Sequence, residues 1–397
     1  MRRNQMTSQM QPTMRRGRQV ALVAVLLMGP AAGLAACGGD DAPAATEPAP
    51  ATAAPDTAAP ATAAPDTTAA PTTAAPSTVP PTTAAPLARD GVTPPEASTV
   101  ADLLALDRPI VIAHAGGDFE APHSTMYAFT QAALVGTDVL EMDVMLTADR
   151  QLVVHHDDTV DRTTEATGPV RELTYEQLSA LDNAYWFSGD VWSDQSLAPE
   201  AYAFRGMRTG DAPPPAGYTP DDFRVETFRS VATAFPDHVL DVEIKIPNGA
   251  DGQPDLAWAY EGAKELAAEI DELGRTDSVI VVSFDTSVLE AFRAVAPDVA
   301  TSPGLDTLVT WYTGGEVTFA ASDKVFQVPP FYGGVEVLTA DVVARAQAEG
   351  FAVWVWMDDT ATQETADFYQ VLLDRNVDGL LVSRPAVATE LLGTDGA

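Results

Sequence analysis

From residue 110 to residue 382 this chain repeats one alternation, a short apolar strand-like run followed by a stretch of helical period. Strand candidates cover 110–114, 139–144, 152–156, 239–246, 279–284, 299–301, 325–328, 352–356 and 379–382. Helical patterns separate most of them, over 124–135, 256–273 and 339–349, and Gly274 and Gly350 stand where the last two should stop. Thr174-Tyr-Glu-Gln177 has the form of a capping box and opens a short helix through Leu181. Parallel strands need a long crossover, usually a helix, so the recurrence reads as repeated βα units. Their number predicts an α/β fold closed as a (β/α)8 TIM barrel rather than an open sheet. Nine candidates for eight places leave one strand extra. Only Thr147-Ala-Asp-Arg150 separates the second run from the third, too short for a crossover, so those two form a tight hairpin.

The N-terminal region obeys other rules. Arg2, Arg3, Arg15, Arg16 and Arg18 precede an apolar stretch over 20–28 and the sequence Leu34-Ala-Ala-Cys37. Residues 1–36 read as an export signal rather than a membrane span. The Leu-Ala-Ala-Cys ending resembles the lipobox of bacterial lipoproteins, which implies lipidation of Cys37 and anchoring to the outer face of the bacterial cytoplasmic membrane or the cell surface. Cys37 is the only cysteine in the chain, so its alternative is a small buried thiol. Two acyl chains would anchor the protein stably, where one is marginal. Residues 37–95 are rich in Ala, Pro and Thr and carry too little bulky apolar surface to repay chain ordering, so they read as a disordered stalk. At ~3.1 Å per residue, about 50 such residues reach on the order of 150 Å. The folded domain is then expected over 96–397. The formal charge is −35, and −40 once the five signal arginines are removed, which argues against nucleic acid as a partner.

The chemistry concentrates near strand ends, where such barrels place their active sites. Glu141 and Asp143 sit two apart on one strand and share a face, a pair able to grip a cation, while Leu140, Met142 and Val144 take the other face. The hairpin brings His156 beside them, followed by Asp157. Glu243 and Lys245 alternate in the same way. They form either a structural salt bridge or, with Glu141 and Asp143, a three-carboxylate oxygen shell of the kind Mg²⁺ or Ca²⁺ prefers, with Lys245 facing an anion. His114 closes the first strand and is either structural or, with His156, one of two proton-transfer groups. Trp356 ends the eighth run. An insertion over 183–228 carries Trp186, Phe187, Trp192, Tyr202 and Phe204, and reads equally as a self-packed surface loop or as a wall above the barrel mouth.

These residues resemble the glycerophosphodiester phosphodiesterase family, of the phospholipase C-like TIM-barrel phosphodiesterases. The resemblance runs from about residue 109 to 385. It rests on His114-Ala-Gly116, Ala128-Phe129, Glu141-Met-Asp143-Val144, His156-Asp157, Arg162-Thr-Thr164, Glu243-Ile-Lys245, Ser283-Phe284, Trp356 and Val377-Asp-Gly379. It implies a TIM barrel, one divalent cation on Glu141, Asp143 and Glu243, acid–base work by His114 and His156, and Lys245 near the phosphate. It also implies hydrolysis of small glycerophosphodiesters to glycerol phosphate and an alcohol in lipid metabolism. Two positions depart from the pattern. Ala115 stands where an arginine usually contacts phosphate, and Pro122-His123-Ser124-Thr125 replaces Pro-Glu-Asn-Thr. His123 is therefore either a compensating ligand or proton carrier, or a residue at the start of a helix. Alternative expectations are a sphingomyelinase D-like phosphodiesterase acting on intact lipid, and a lipoprotein that binds phosphodiesters without cleaving them. Oligomeric state is left open.

Overall fold

The computed structural model describes residues 91–189 and 194–393. The expected signal segment, nearly all of the stalk with Cys37, and Trp192 of the insertion lie outside the described residues. The chain enters through a short helix, α1 (Val100–Leu103), capped by Thr99, and then begins the barrel with β1 (Ile110–Ala113). Helix α2 (Met126–Leu134) follows, started by the Thr125 side chain accepting the Ala128 amide N–H. Then come β2 (Val139–Leu146), β3 (Leu152–Val154), α3 (Tyr175–Ala180), α4 (Phe228–Ala234) and β4 (Val239–Ile244). The second half continues with α5 (Leu256–Glu272), β5 (Val279–Val282), α6 (Thr286–Arg293), β6 (Ala300–Thr301), α7 (Leu305–Tyr312) and β7 (Val325–Val328). A small hairpin, β8 (Phe331–Tyr332) with β9 (Val335–Glu336), precedes α8 (Ala340–Ala348) and β10 (Ala352–Trp356). Helices α9 (Thr360–Gln363) and α10 (Ala366–Leu373), strand β11 (Gly379–Val382) and α11 (Pro385–Leu392) complete the fold.

Eight of these strands run parallel in the order β6-β5-β4-β2-β1-β11-β10-β7. The two ends of the path meet at an isolated parallel bridge between Thr301 and Asp323, where the Thr301 amide donates to Ser322 O at 2.9 Å and Lys324 N–H to Thr301 O at 2.9 Å. The expected TIM barrel is therefore present, and its irregular ninth strand is the hairpin partner β3, antiparallel to β2 in the register Val144–Val154. The capping box at Thr174 also forms as expected.

Alternation along the strands divides the apolar residues into two populations. Outward-facing Leu140, Met142, Val144, Leu240, Val242 and Ile244 pack against α5 and α6 in one large cluster. Inward-facing Ile110, Ile112, Val139, Val239, Ile280 and Trp354 close the lower barrel together with Ala97, Val100 and Leu103 of the entry segment. Farther up the same strands the inward residues become charged, and that change marks the functional end.

The insertion packs on itself and on α2. Phe187, Phe204, Tyr218 and Phe223 enclose Tyr127, with ring centroids 4.7 to 5.9 Å apart. Beside them Arg205 lies over the rings of Tyr185, Trp186 and Tyr202. Of the two readings of this segment, the self-packed cluster describes the residues seen.

Candidate active site

The register of two neighbouring strands sets the site. In the β2–β4 ladder Glu141 stands opposite Asp241, and Asp143 opposite Glu243, so four carboxylates occupy two successive layers of the barrel interior. Asp143 lies inside β2 rather than at its end, because the hairpin carries that strand on to Leu146. The carboxylates are not electrostatically alike. Burial, reinforced by the Asp143 charge, pushes Glu141 well above the usual carboxylate range, although the Ala115 N–H donates to Glu141 Oε2 at 2.7 Å. Burial also works to raise Asp143, yet the Lys245 ammonium, with His156 and His114, holds it well below that range. Asp241, also buried, is pushed up to about 7 in spite of the Gln327 amide, which donates 2.8 Å bonds to it.

Lys245 follows the last residue of β4, and its Nζ lies 3.1 Å from Asp143 Oδ1 and 3.1 Å from Glu243 Oε1. In this arrangement the ammonium is the counterion of the acid set. Among the described residues no three His, Cys, Asp or Glu side chains are gathered closely enough to form a metal-binding group. The donor chemistry nevertheless fits a hard cation. Glu141, Asp143 and Glu243 offer only oxygen, and Asp143 Oδ2 is buried with no hydrogen-bond partner among the described residues.

Each of the two predicted proton carriers is fixed at Nδ1 by a carboxylate. His114 starts the turn after β1, and its Nδ1 lies 3.0 Å from Asp118 Oδ2. His156 follows β3, and its Nδ1 lies 2.6 Å from Asp157 Oδ1. Asp157 is in turn clamped by Arg162, through Nε at 2.6 Å and a second nitrogen at 3.0 Å. Burial opposes ionisation of Asp157, but the hydrogen bond from His156 and the Arg162 charge hold it far below the usual range. A carboxylate at Nδ1 holds the proton there and leaves Nε2 to exchange protons with substrate. His155, one residue earlier, points elsewhere: it is buried and its Nε2 lies 3.1 Å from Thr159 O.

The residues flanking His114 account for the two sequence departures in structural terms. Ala115 has φ +46, a left-handed conformation that an alanine adopts only under constraint, and its amide pins Glu141. Its contribution is made by the backbone. His123 lies two residues ahead of the helix cap Thr125, buried, with Nδ1 3.1 Å from Ser124 Oγ. Burial, then the charge of Arg162, holds its pKa well below the usual histidine value, so it is neutral near pH 7.

Trp356, at the end of β10, lines a cavity together with His114, Glu141 and Glu243. Its ring meets Phe284 edge to face at 6.0 Å.

The sequence pattern of the Glycerophosphoryl diester phosphodiesterase family matches residues 114–387, spanning His114, the hairpin, both carboxylate strands and the start of the final helix. The chain belongs to that family. A glycerophosphodiester phosphodiesterase of Caldanaerobacter subterraneus is 26% identical over 73% of this chain and 100% of its own length. A putative glycerophosphodiester phosphodiesterase of Bacillus subtilis is 48% identical over a shorter stretch, 19% of this chain and 32% of its own. Among solved structures, that of a putative glycerophosphoryl diester phosphodiesterase from Silicibacter pomeroyi superposes with a TM-score of 0.54 at 22% identity, covering 73% of this chain and 94% of that one. An Oleispira antarctica phosphodiesterase, solved with its product sn-glycerol-3-phosphate, gives a TM-score of 0.52 at 18% identity over 72% of this chain and 97% of its own.

Within this glycerophosphodiester phosphodiesterase fold, His114, His156, Glu141, Asp143, Glu243 and Lys245 come together, while His123 is buried within electrostatic reach of Asp118, Asp157 and Arg162. Sequence reasoning passed over Asp118, Asp241 and Gln327 as site residues. Asp118, four residues after His114, was findable as a short-range acid beside a candidate base. Asp241 was findable as the third member of its own alternation. Gln327 meets Asp241 across the barrel and left no local signal.

Proposed function

We propose that this chain hydrolyses glycerophosphodiesters to glycerol phosphate and an alcohol, with a divalent cation, Mg²⁺ or Ca²⁺, held by Glu141, Asp143 and Glu243. The observation that carries the reading is the pair of histidine–carboxylate couples, His114–Asp118 and His156–Asp157–Arg162, set around one cluster of buried carboxylates. Displacement at phosphorus needs one group to take a proton from the attacking hydroxyl and another to give one to the departing alcohol. One histidine fills each role, and the roles exchange when water attacks in the second half. The neighbouring glycerol hydroxyl makes the first bond to phosphorus as the alcohol leaves, and water then opens the cyclic phosphate. The cation supplies positive charge against the phosphoryl oxygens. Lys245 gives up part of its ion pairing with Asp143 and Glu243 to face the same anion. The Asp157–Arg162 pair keeps His156 in one tautomer throughout.

We further propose that the protein is exported and tethered through lipidated Cys37, with the stalk holding the barrel away from the membrane; mass spectrometry of the membrane fraction and of a Cys37→Ser variant tests this. The catalytic proposal is tested by supplying glycerophosphocholine with Mg²⁺ or Ca²⁺ and following glycerol phosphate and choline. Binding of the diester without turnover under every divalent cation would favour a non-catalytic binding protein instead.

A further inference from the structure

His123 is a buried titratable group that the mechanism above leaves unused. It lies in the loop of residues 115–124, which leaves β1 and returns to the start of α2. Ser124 N–H closes that loop by donating to Ala115 O at 2.8 Å. Both closing residues are left-handed, Ala115 at φ +46 and Ser124 at φ +57, conformations that non-glycine residues keep only where surrounding contacts over-determine them. Those contacts include both ends of His123. Its carbonyl accepts from Asn183 Nδ2 at 3.3 Å, and Asn183 Oδ1 accepts from Thr163 Oγ1 at 2.7 Å, which ties the loop to the turn that carries Arg162. Its Nδ1 lies 3.1 Å from Ser124 Oγ.

The other ring nitrogen, Nε2, is buried with no hydrogen-bond partner among the described residues, and so is Asp118 Oδ1. Asp118 is the carboxylate whose second oxygen meets His114 Nδ1. The two side chains are in electrostatic reach of each other, with Asp157, Arg162 and His155 also facing the imidazole. With the Ser124 hydroxyl donating to Nδ1, the proton sits on Nε2, so a donor and a carboxylate oxygen are left to satisfy each other. Buried polar groups of opposite kind, each short of a partner, are the usual setting of an ordered water, which needs several such partners. Ser383, whose hydroxyl bears on Asp118, is a third.

We propose that His123 is a positioning residue for His114, acting through Asp118: one buried water joins His123 Nε2 to Asp118 Oδ1 and fixes the carboxylate that orients the catalytic imidazole. The inference rests on the phosphodiesterase reading and adds a member to its site. It makes the two couples alike in plan. Asp157 is held by Arg162 as well as by its histidine, and Asp118 by His123. The holders differ in charge, because the buried imidazole of His123 stays neutral near pH 7 whereas a guanidinium is always charged. His123 neither touches substrate nor passes a proton to it.

The test uses the full-length protein with Mg²⁺ or Ca²⁺. The chain has five histidines, few enough for ¹⁵N-histidine NMR to separate the rings. His123 should carry its proton on Nε2 and stay neutral from about pH 5 to about pH 8. The hydrogen-bonded Nδ1–H resonance of His114 should be present in the parent protein and weakened in His123→Leu. On glycerophosphocholine, His123→Leu should lower kcat about tenfold or more with KM nearly unchanged. His123→Gln, whose amide nitrogen reaches the place of Nε2, should recover most of that loss. His123→Asn, whose amide reaches only the place of Nδ1, should not. In an Asp118→Asn background His123→Leu should cost little more, because the two residues act in series. Thermal melts report the folding of each variant, and the contrast between Gln and Asn decides if the leucine variant does not fold. A kcat for folded His123→Leu within about threefold of the parent, equal activity of the Gln and Asn variants, additive losses with Asp118→Asn, or an Nδ1–H tautomer overturns the inference and leaves the catalytic reading standing. A parent protein that turns over no diester, yet whose His114 Nδ1–H resonance depends on His123, does the reverse.

Discussion

At the scale of single residues, the two histidine–carboxylate couples differ in what holds them. Asp118 is enclosed, and although burial works to raise its pKa, the charge and hydrogen bond of His114 lower it. Asp157 gains a second constraint from the two Arg162 contacts. Replacing Asp157 by Asn removes charge but keeps shape, so His156 loses its tautomeric preference while the diester still binds. Steady-state kinetics on Asp157→Asn should show kcat reduced by about tenfold or more with KM nearly unchanged, against a loss of roughly 10²–10⁴ for His156→Ala. A change confined to KM would place Asp157 in substrate binding instead. Ala115 shows where reasoning from residue type falls short. As a side chain it is the absence of a guanidinium, but as a left-handed backbone unit it supplies the amide that meets Glu141. Nothing in the letters of the sequence distinguishes those two contributions, because a backbone hydrogen bond leaves no residue signature.

At the scale of elements, the strands and the helices behind Thr174 and Thr339 were legible from local cues, whereas the helices behind Thr99, Thr227 and Thr365 were not read although they carry the same cue. Thr99, Thr125, Thr174, Thr227, Thr339 and Thr365 each accept an amide from the first turn of the helix they precede. The capping box at Thr174 should therefore matter measurably: Thr174→Ala is expected to lower stability by about 1 kcal/mol in chemical denaturation, with no effect on kcat. The β2–β3 hairpin was equally legible, since four residues cannot make a crossover. Its consequence for the site was not. The hairpin extends β2 beyond Asp143 and swings His155 and His156 to different surroundings, so two adjacent histidines acquire unlike roles. The two-strand hairpin β8–β9 left too short a pattern to be read, and the insertion gave aromatic composition without direction. Its aromatic rings close around Tyr127 of α2, a partner no local pattern names.

At the scale of the whole molecule, the closed barrel was predictable from the count of βα units, whereas the contact that closes it was not. Closure depends on Thr301 meeting the segment around Asp323, far along the chain, with Arg293 bonding to both Thr301 and Asp323. One buried acid ties distant elements of the second half together near His114. Glu364 accepts from the Ser383 amide after β11 and from the Tyr369 hydroxyl on α10. Burial, despite those bonds, pushes Glu364 up to about 7. Because the folded-state value lies above the unfolded one, its contribution is full below about 4.5 and is lost as pH rises through about 7. Glu364→Gln should therefore gain on the parent protein progressively over that window, by on the order of 3 kcal/mol at pH 8, in urea denaturation at a series of pH values. A constant difference across the window would contradict the assignment.

The central claim is that the His156 couple and the buried carboxylates form one phosphodiesterase site. ³¹P NMR of glycerophosphocholine incubated with the parent protein and with His156→Ala, each with Mg²⁺ or Ca²⁺ and again after chelation, tests it most directly. The diester resonance should give way to glycerol phosphate only with the parent protein and a divalent cation. A diester signal that persists in every parent sample, or that disappears as fast with His156→Ala under chelation, would contradict it.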